Sequence, residues 1–113
     1  MFRNMSNLTS IDISNFKTNN LKTMRGMFRN CTSLTSIDLS NFNTEKLEQI
    51  DSLFYNCEKL SYIDISSFSK SLDYENQVFT DINLYGTIIV NRDLEEYIKS
   101  FLNNENWNIT IKE

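Results

Sequence analysis

The chain has 113 residues and a net charge of −4, with acidic and basic residues interspersed along it. That length holds one domain and one modest core, and the lack of a basic stripe excludes a nucleic-acid surface. No apolar run approaches the ~18 residues of a membrane span, so no membrane insertion is expected. The opening MFRNMSNLTS has no basic stretch followed by an apolar one, so it does not read as a secretory signal.

Two cysteines and no histidine leave little for metal coordination or for acid–base work near neutrality. No catalytic residue, metal or cofactor is therefore expected. Proline is absent, the only glycines are Gly26 and Gly86, and asparagine is abundant. Asparagine tolerates left-handed backbone, so it is expected to take over the turn positions that glycine usually fills.

The sequence falls onto itself when shifted by 26 residues. MFRNMSNLTSIDISNFKTNNLKTMRG fills 1–26, MFRNCTSLTSIDLSNFNTEKLEQIDS fills 27–52, and LFYNCEKLSYIDISSFSKSLDYENQ fills 53–77, one residue shorter. A fourth unit opens with Val78 and Phe79 and then departs. The apolar positions recur in columns: Phe2, Phe28, Phe54 and Phe79; Leu8, Leu34 and Leu60; Ile11, Ile37 and Ile63; Ile13, Leu39 and Ile65; Phe16, Phe42 and Phe68.

Within each unit LxxIxLxxF follows the leucine-rich template. Alternation across Ile37, Asp38 and Leu39 predicts a short strand with its aliphatics inward and its aspartate outward. Residues 20–24, with Leu21 and Met24 apolar, fit a second short strand or a tight helical turn. The spacing in Met27 to Cys31 reads as a helical turn. A single unit cannot bury its own apolar face, so the units should stack with their strands parallel. Phe16, Phe42 and Phe68 are expected to form an internal aromatic stack.

Residues 81–113 differ in kind. Thr87 to Val90 reads as a strand. Asp93 and Glu96 resemble a capping box before an amphipathic helix of about three turns carrying Leu94, Tyr97, Ile98, Phe101 and Leu102. Trp107 to Ile111 alternates like a final strand. The fold class expected is thus an α/β repeat: a leucine-rich-repeat solenoid of three parallel-strand coils (1–26, 27–52, 53–77, within a repeat region 1–80) closed by a C-terminal α/β cap over 81–113. Met1 to Asn4 is in phase with Met27 to Asn30, so the array is expected to be the C-terminal part of a longer repeat protein.

MFRNCTSLTSIDLSNFNTEKLEQI resembles the BspA-like leucine-rich repeat, which reads roughly MFxxCxxLxxLDLSxFxTxxVxxM. Met27, Phe28, Cys31, Leu34, Asp38, Leu39, Ser40, Phe42, Thr44 and Leu47 fall on that pattern. The resemblance covers residues 1 to about 80, and the ending with Gly86 to Val90 and Trp107 is similar to the close of such arrays. Members are mostly surface-exposed bacterial or protist proteins thought to mediate adhesion. The resemblance therefore implies a surface binding module, although this sequence carries no signal peptide, lipobox or wall anchor.

Asp12, Asp38 and Asp64 share one outward repeat position and should stack about 4.8 Å apart. Such a column either attracts a cation or basic partner or is solvated by water, salt and the neighbouring serines Ser10, Ser14, Ser36, Ser40 and Ser66. Paired carboxylates on a parallel sheet also suggest glycoside cleavage, but no other residue supports that chemistry. Tyr62 replaces Ser10 and Ser36 beside the column, and an exposed tyrosine suits an interface. The candidate ligand-contact face is therefore Asp12, Asp38, Asp64, Ser36 and Tyr62.

Cys31 and Cys57, with Met5 in the same column, are expected to be free buried thiols. Arg3 and Arg29 form a basic column that becomes Tyr55. Asn4, Asn30 and Asn56 form another, expected to hydrogen-bond turn backbone. Sequons at Asn4, Asn7, Asn30 and Asn108 arise readily by chance in a chain this rich in Asn, Ser and Thr.

The function expected is non-catalytic binding of a protein, on a host or neighbouring cell surface, by the C-terminal part of an adhesive surface protein. The alternatives are a purely structural capped end of a longer array and a small intracellular interaction protein. The expected location is the cell surface or outside the cell if the chain belongs to a longer protein, and the cytoplasm otherwise. The residues do not specify an oligomeric state.

Overall fold

The computed structural model describes residues 2–102 and 106–113; Met1, in the column of Met27 and Leu53, lies outside them. Among the described residues four strands form one parallel sheet in sequence order: β1 (Ser36–Asp38), β2 (Tyr62–Asp64), β3 (Gly86–Val90) and β4 (Trp107–Ile111). One short helix, α1 (Glu95–Lys99), lies between β3 and β4 behind a 3-10 turn over Arg92–Leu94. Ile37 sits beside Ile63, which sits beside Ile88 and then Ile109, so one aliphatic row runs across the sheet on its inner side.

Among its described residues the first unit contributes no strand, although Ile11-Asp12-Ile13 repeats the pattern of β1. Thr35 donates its amide to the Thr9 carbonyl at 3.1 Å, but the ladder goes no further along 10–12. A strand needs bonds along its length from a neighbour, and this segment is held at one end only. The expected parallel pairing thus holds for the second and third units and continues into the C-terminal segment rather than back to the first.

Away from the sheet the units are joined by a second set of bonds. Residues 20–24 form neither a strand nor a helical turn but a single parallel bridge, Thr23 to Gln49. Met27 to Cys31 is not helical. It is a run of turns in which alternate amides serve different partners. Met27, Arg29 and Cys31 donate three residues back, to Met24, Gly26 and Phe28, while Gly26, Phe28 and Asn30 donate across to Asp51, Leu53 and Tyr55. The same alternation recurs one unit later, from Ser52, Phe54 and Asn56 to Asn76, Val78 and Thr80.

This zigzag requires left-handed backbone at two places per unit, found at Gly26, Ser52 and Gln77 and at Asn4, Asn30, Asn56 and Asp81. Asparagine does take the place of glycine there. Its side chain bonds the next asparagine rather than turn backbone: Asn30 Nδ2 donates to Asn4 Oδ1 at 2.8 Å, and Asn56 Nδ2 to Asn30 Oδ1 at 3.1 Å.

The core lies between these two bonded sides. Leu34, Leu60, Ile37, Ile63, Leu39 and Ile65 are all buried, each contributing roughly 1.5–3 kcal/mol of burial. The aromatic stack falls on a different column from the one expected. Phe2, Phe28, Phe54 and Phe79 stack at centroid spacings of 5.6, 6.2 and 6.1 Å. No ring stacking joins Phe16, Phe42 and Phe68; Phe42 and Phe68 are buried but Phe16 is 41% exposed and leans on Phe2 at 5.9 Å. Met5, expected to be buried with Cys31 and Cys57, is 47% exposed.

The C-terminal segment docks through one side chain. Asn91 Oδ1 accepts from the Leu94 amide at 3.2 Å, capping the 3-10 turn, while its Nδ2 donates to the Ser66 and Phe68 carbonyls at 3.0 and 2.7 Å. The cap residue is thus Asn91 rather than Asp93, and the helix has five residues rather than about three turns. Of the apolar side expected there, Leu94, Ile98 and Leu102 are buried and Phe101 is partly buried, but Tyr97 is 38% exposed. Trp107 is buried and donates its Nε1–H to the Asn83 carbonyl at 3.0 Å.

Candidate binding face

The outer side of the sheet presents two rows of side chains. In register these are Ser36, Tyr62, Thr87 and Asn108, and beside them Asp38, Asp64, Ile89 and Thr110. Four strands about 4.8 Å apart give a face about 14 Å wide. The structure brings Ser36 beside Tyr62 and Asp38 beside Asp64, but leaves Asp12 outside the sheet on the strandless first unit.

The aspartates are engaged by the chain itself. Asp12 Oδ1 accepts from the Ser14 amide and hydroxyl at 3.1 and 2.7 Å. Asp38 Oδ1 does the same with Ser40 at 2.9 and 2.6 Å. Hydrogen bonds to the ionised form hold the Asp12 and Asp38 carboxyls below their ordinary range. Asp64 keeps the backbone bond, from the Ser66 amide at 2.9 Å.

An Asp two residues before a Ser is a turn-forming pair. The column therefore has a local structural job at the exit of each strand position. Asp64 departs from the outward, solvated expectation: it is only 4% exposed, because Ile89 lies beside it in the sheet and Lys112 Nζ sits 4.0 Å from Oδ2. Among the described residues no three His, Cys, Asp or Glu side chains are grouped to hold a metal ion.

Tyr62 stands 40% exposed in the first row, its hydroxyl pushed up in pKa by partial burial and then by the charges of Asp64 and Asp38. Thr87, Ile89, Asn108 and Thr110 on the same face were missed by sequence reasoning. They lie in β3 and β4, within the segment 81–113 expected to close the array. The alternation of Thr87-Ile88-Ile89-Val90 and Asn108-Ile109-Thr110 was the signal that both strands extend the same two-sided sheet.

On the opposite side, Arg25 pairs with Asp51 at 2.9 Å, and the Arg29 guanidinium lies 4.9 Å from the centre of the Tyr55 ring. The basic column thus turns into a cation–π contact where it meets Tyr55. A shallow cleft of about 240 Å³ there is lined by Arg25, Glu48, Gln49, Asp51, Asp73 and Asn76. Cys31 and Cys57 are free and buried, their thiols donating to the Phe2 and Phe28 carbonyls at 3.0 and 2.9 Å. Burial pushes both thiols up in pKa, that of Cys57 to about 12, so neither is a nucleophile near neutrality.

Residues 1–91 match the family described as "Mycoplasma protein of unknown function, DUF285". The chain belongs to that family. The match takes in all three repeat units and ends just after β3, so the DUF285 region includes Tyr62 and the three aspartates but neither α1 nor β4. No curated protein and no solved structure matches the chain significantly.

Proposed function

We propose that this DUF285 chain is a non-catalytic binding module, a BspA-like leucine-rich-repeat solenoid of three stacked coils and a C-terminal cap. It engages a protein on a host or neighbouring cell from the surface of its own cell. The observation that carries the reading is the sheet's outer face, where Tyr62 stands exposed between Ser36 and Thr87. Aromatic side chains set among small polar ones are enriched at protein interfaces. Repetition of main-chain bonds between units, from Phe28 to Leu53 and from Phe54 to Val78, supports the stacked coils.

A face this narrow falls below the ~800 Å² per partner of a standard interface. Binding by this chain alone is therefore weak, and display in many copies on a cell raises it through avidity. The test is adhesion of intact cells to immobilised chain. Tyr62→Ala should lower adhesion at least fivefold, while Tyr85→Ala, on the cap loop, should leave it unchanged. Equal adhesion by both variants would remove the face from the account.

A second reading is purely structural, with the chain closing an array whose contacts lie elsewhere. The turn bonds from Ser14 and Ser40 to Asp12 and Asp38 favour it, since they give the acidic column a role that needs no ligand. It predicts no adhesion by this chain under any display.

A further inference from the structure

The chain has four arginines, and they fall into two kinds. Arg25 and Arg92 each carry a carboxylate, Asp51 at 2.9 Å and Glu113 at 2.7 Å. Arg3 and Arg29 carry none among the described residues, and neither guanidinium donates a hydrogen bond to any of them. Each is nevertheless held in place by what lies under it. Arg3 rests on Gly26, where a Cβ would come within 2.5 Å of Nη2 and 3.3 Å of Cζ and Nε. Arg29 rests on the ring of Tyr55, its guanidinium 4.9 Å from the centre.

The two stand together on one side of the chain. Asn4, next to Arg3, donates its amide to the Arg29 carbonyl at 2.8 Å, and the Arg29 amide donates to the Gly26 carbonyl at 3.1 Å. The adjoining rings of Phe2 and Phe28 are 5.6 Å apart, which sets the step from one arginine to the next. Arg25, beside Gly26, is neutralised by Asp51, and Glu48 and Asp73 line the cleft with that pair. Arg3 and Arg29 are left as two positive charges without a counterpart.

We infer that Arg3 and Arg29 form a binding site for a phosphate monoester group, and that Gly26 and Tyr55 are its positioning residues. A phosphate monoester brings three terminal oxygens and a charge of about −1.5 to −2 near neutrality, which matches two guanidinium groups. A carboxylate has two oxygens and one charge, and a single planar guanidinium fork satisfies it. Side chains already seated on Gly26 and Tyr55 lose less freedom when the ligand arrives. The site shares no residue with the sheet's outer face, so it is independent of the protein contact proposed there.

The test is an NMR titration of the full chain that follows the four arginine Nε–H signals, with O-phosphoserine and a hexose 6-phosphate as probes. Arg3 and Arg29 should shift together and saturate, while Arg25 and Arg92 stay still. Tighter binding of one probe would identify the carrier of the phosphate, and equal binding would mean that the group alone is recognised; both results support the site. Arg29→Gln should weaken binding at least tenfold, the effect of losing one charge-assisted contact.

Gly26→Ser is the sharper variant. Ser52 holds the same left-handed position in the next unit, at φ 58° against 59° for Gly26, so the backbone accepts serine there. The added Cβ takes the place where Arg3 rests. This chain should melt close to wild type yet bind both probes at least fivefold more weakly. If it fails to fold, Tyr55→Leu, which removes the ring under Arg29, takes its place with the same expectation. Shifts in all four arginines, in none, or of equal size with acetate at matched ionic strength would overturn the inference. So would a folded Gly26→Ser chain that binds like wild type.

Discussion

Asn30 links its two neighbours in the asparagine column, donating to Asn4 at 2.8 Å and accepting from Asn56 at 3.1 Å. Its backbone φ of 63° sets the turn that lets the Asn30 amide reach Tyr55 at 2.9 Å. Two effects, backbone conformation and a side-chain ladder, meet at this residue.

They can be separated. Asn30→Gly keeps the left-handed turn and loses the ladder, for about 1 kcal/mol. Asn30→Ala also loses the ladder and, unlike glycine, keeps a Cβ in left-handed backbone without asparagine's tolerance of it, costing about 1 kcal/mol more than the glycine variant. Urea denaturation should rank the chains wild type, glycine, alanine in falling stability; an alanine variant as stable as the glycine one would remove the backbone part.

Asn91 has three roles in one carboxamide. Asn91→Ala loses a helix cap worth about 1 kcal/mol and leaves the part-buried Ser66 and Phe68 carbonyls short of a donor, at about 1–3 kcal/mol. Asn91→Asp keeps the cap acceptor but cannot donate. Both variants should be destabilised in urea; an aspartate variant equal to wild type would show that Nδ2 does not anchor the C-terminal segment.

Gly86 is required by space rather than by backbone sign. A Cβ there would meet the Ser61 carbonyl oxygen and come within 2.8 Å of the Trp107 ring. Gly86→Ala should cost about 1–3 kcal/mol through overpacking and shift the Trp107 emission to longer wavelength. An unshifted spectrum with unchanged stability would contradict the close approach of β3 to its neighbours.

Much of this arrangement is legible from the columns. Ile37-Asp38-Leu39 predicts β1, and Trp107 to Ile111 is β4 as read. What the columns do not carry is dependence on neighbours. Ile11-Asp12-Ile13 is nearly identical to the β1 segment yet forms no strand, because pairing is a property of two segments. Phe16 and Phe42 share a column yet differ in burial, because only one has packed units on both sides. Asp64 is identical in type to Asp12 and Asp38 yet buried, because Ile89 and Lys112 arrive from sequence with no repeat signal. The helix stops after five residues although the apolar periodicity runs on to Leu102, because periodicity alone does not say where a helix stops.

The Cys57 thiol gives a pH signature. Its pKa rises from 9.0 to about 12 on folding. The unfolded chain therefore releases this proton first. The stabilisation is complete below pH 9 and is lost as pH rises toward 12, at up to about 1.4 kcal/mol per unit. Cys57→Ala should flatten that part of the stability profile between pH 9 and 11; an unchanged slope would show that Cys57 is not buried as described.

The carboxyl of Asp38 gives the opposite sign. Its pKa lies below 3.8 through the Ser40 bonds, so the stabilisation is present at neutral pH and is lost as pH falls through the folded value. Ser40→Ala should raise the Asp38 midpoint toward 3.8 in an NMR titration and leave Asp12 where it is. A midpoint that does not move would assign the lowering to something other than the Ser40 hydroxyl.

The most direct test of a binding module displayed on the cell is an immunoblot of source cells, intact and after external protease treatment, with antibody raised to this chain. The account predicts that shaving intact cells removes the antigen while an internal control protein survives. An antigen that persists unchanged through shaving, and disappears only after the cells are opened, would contradict a surface binding role.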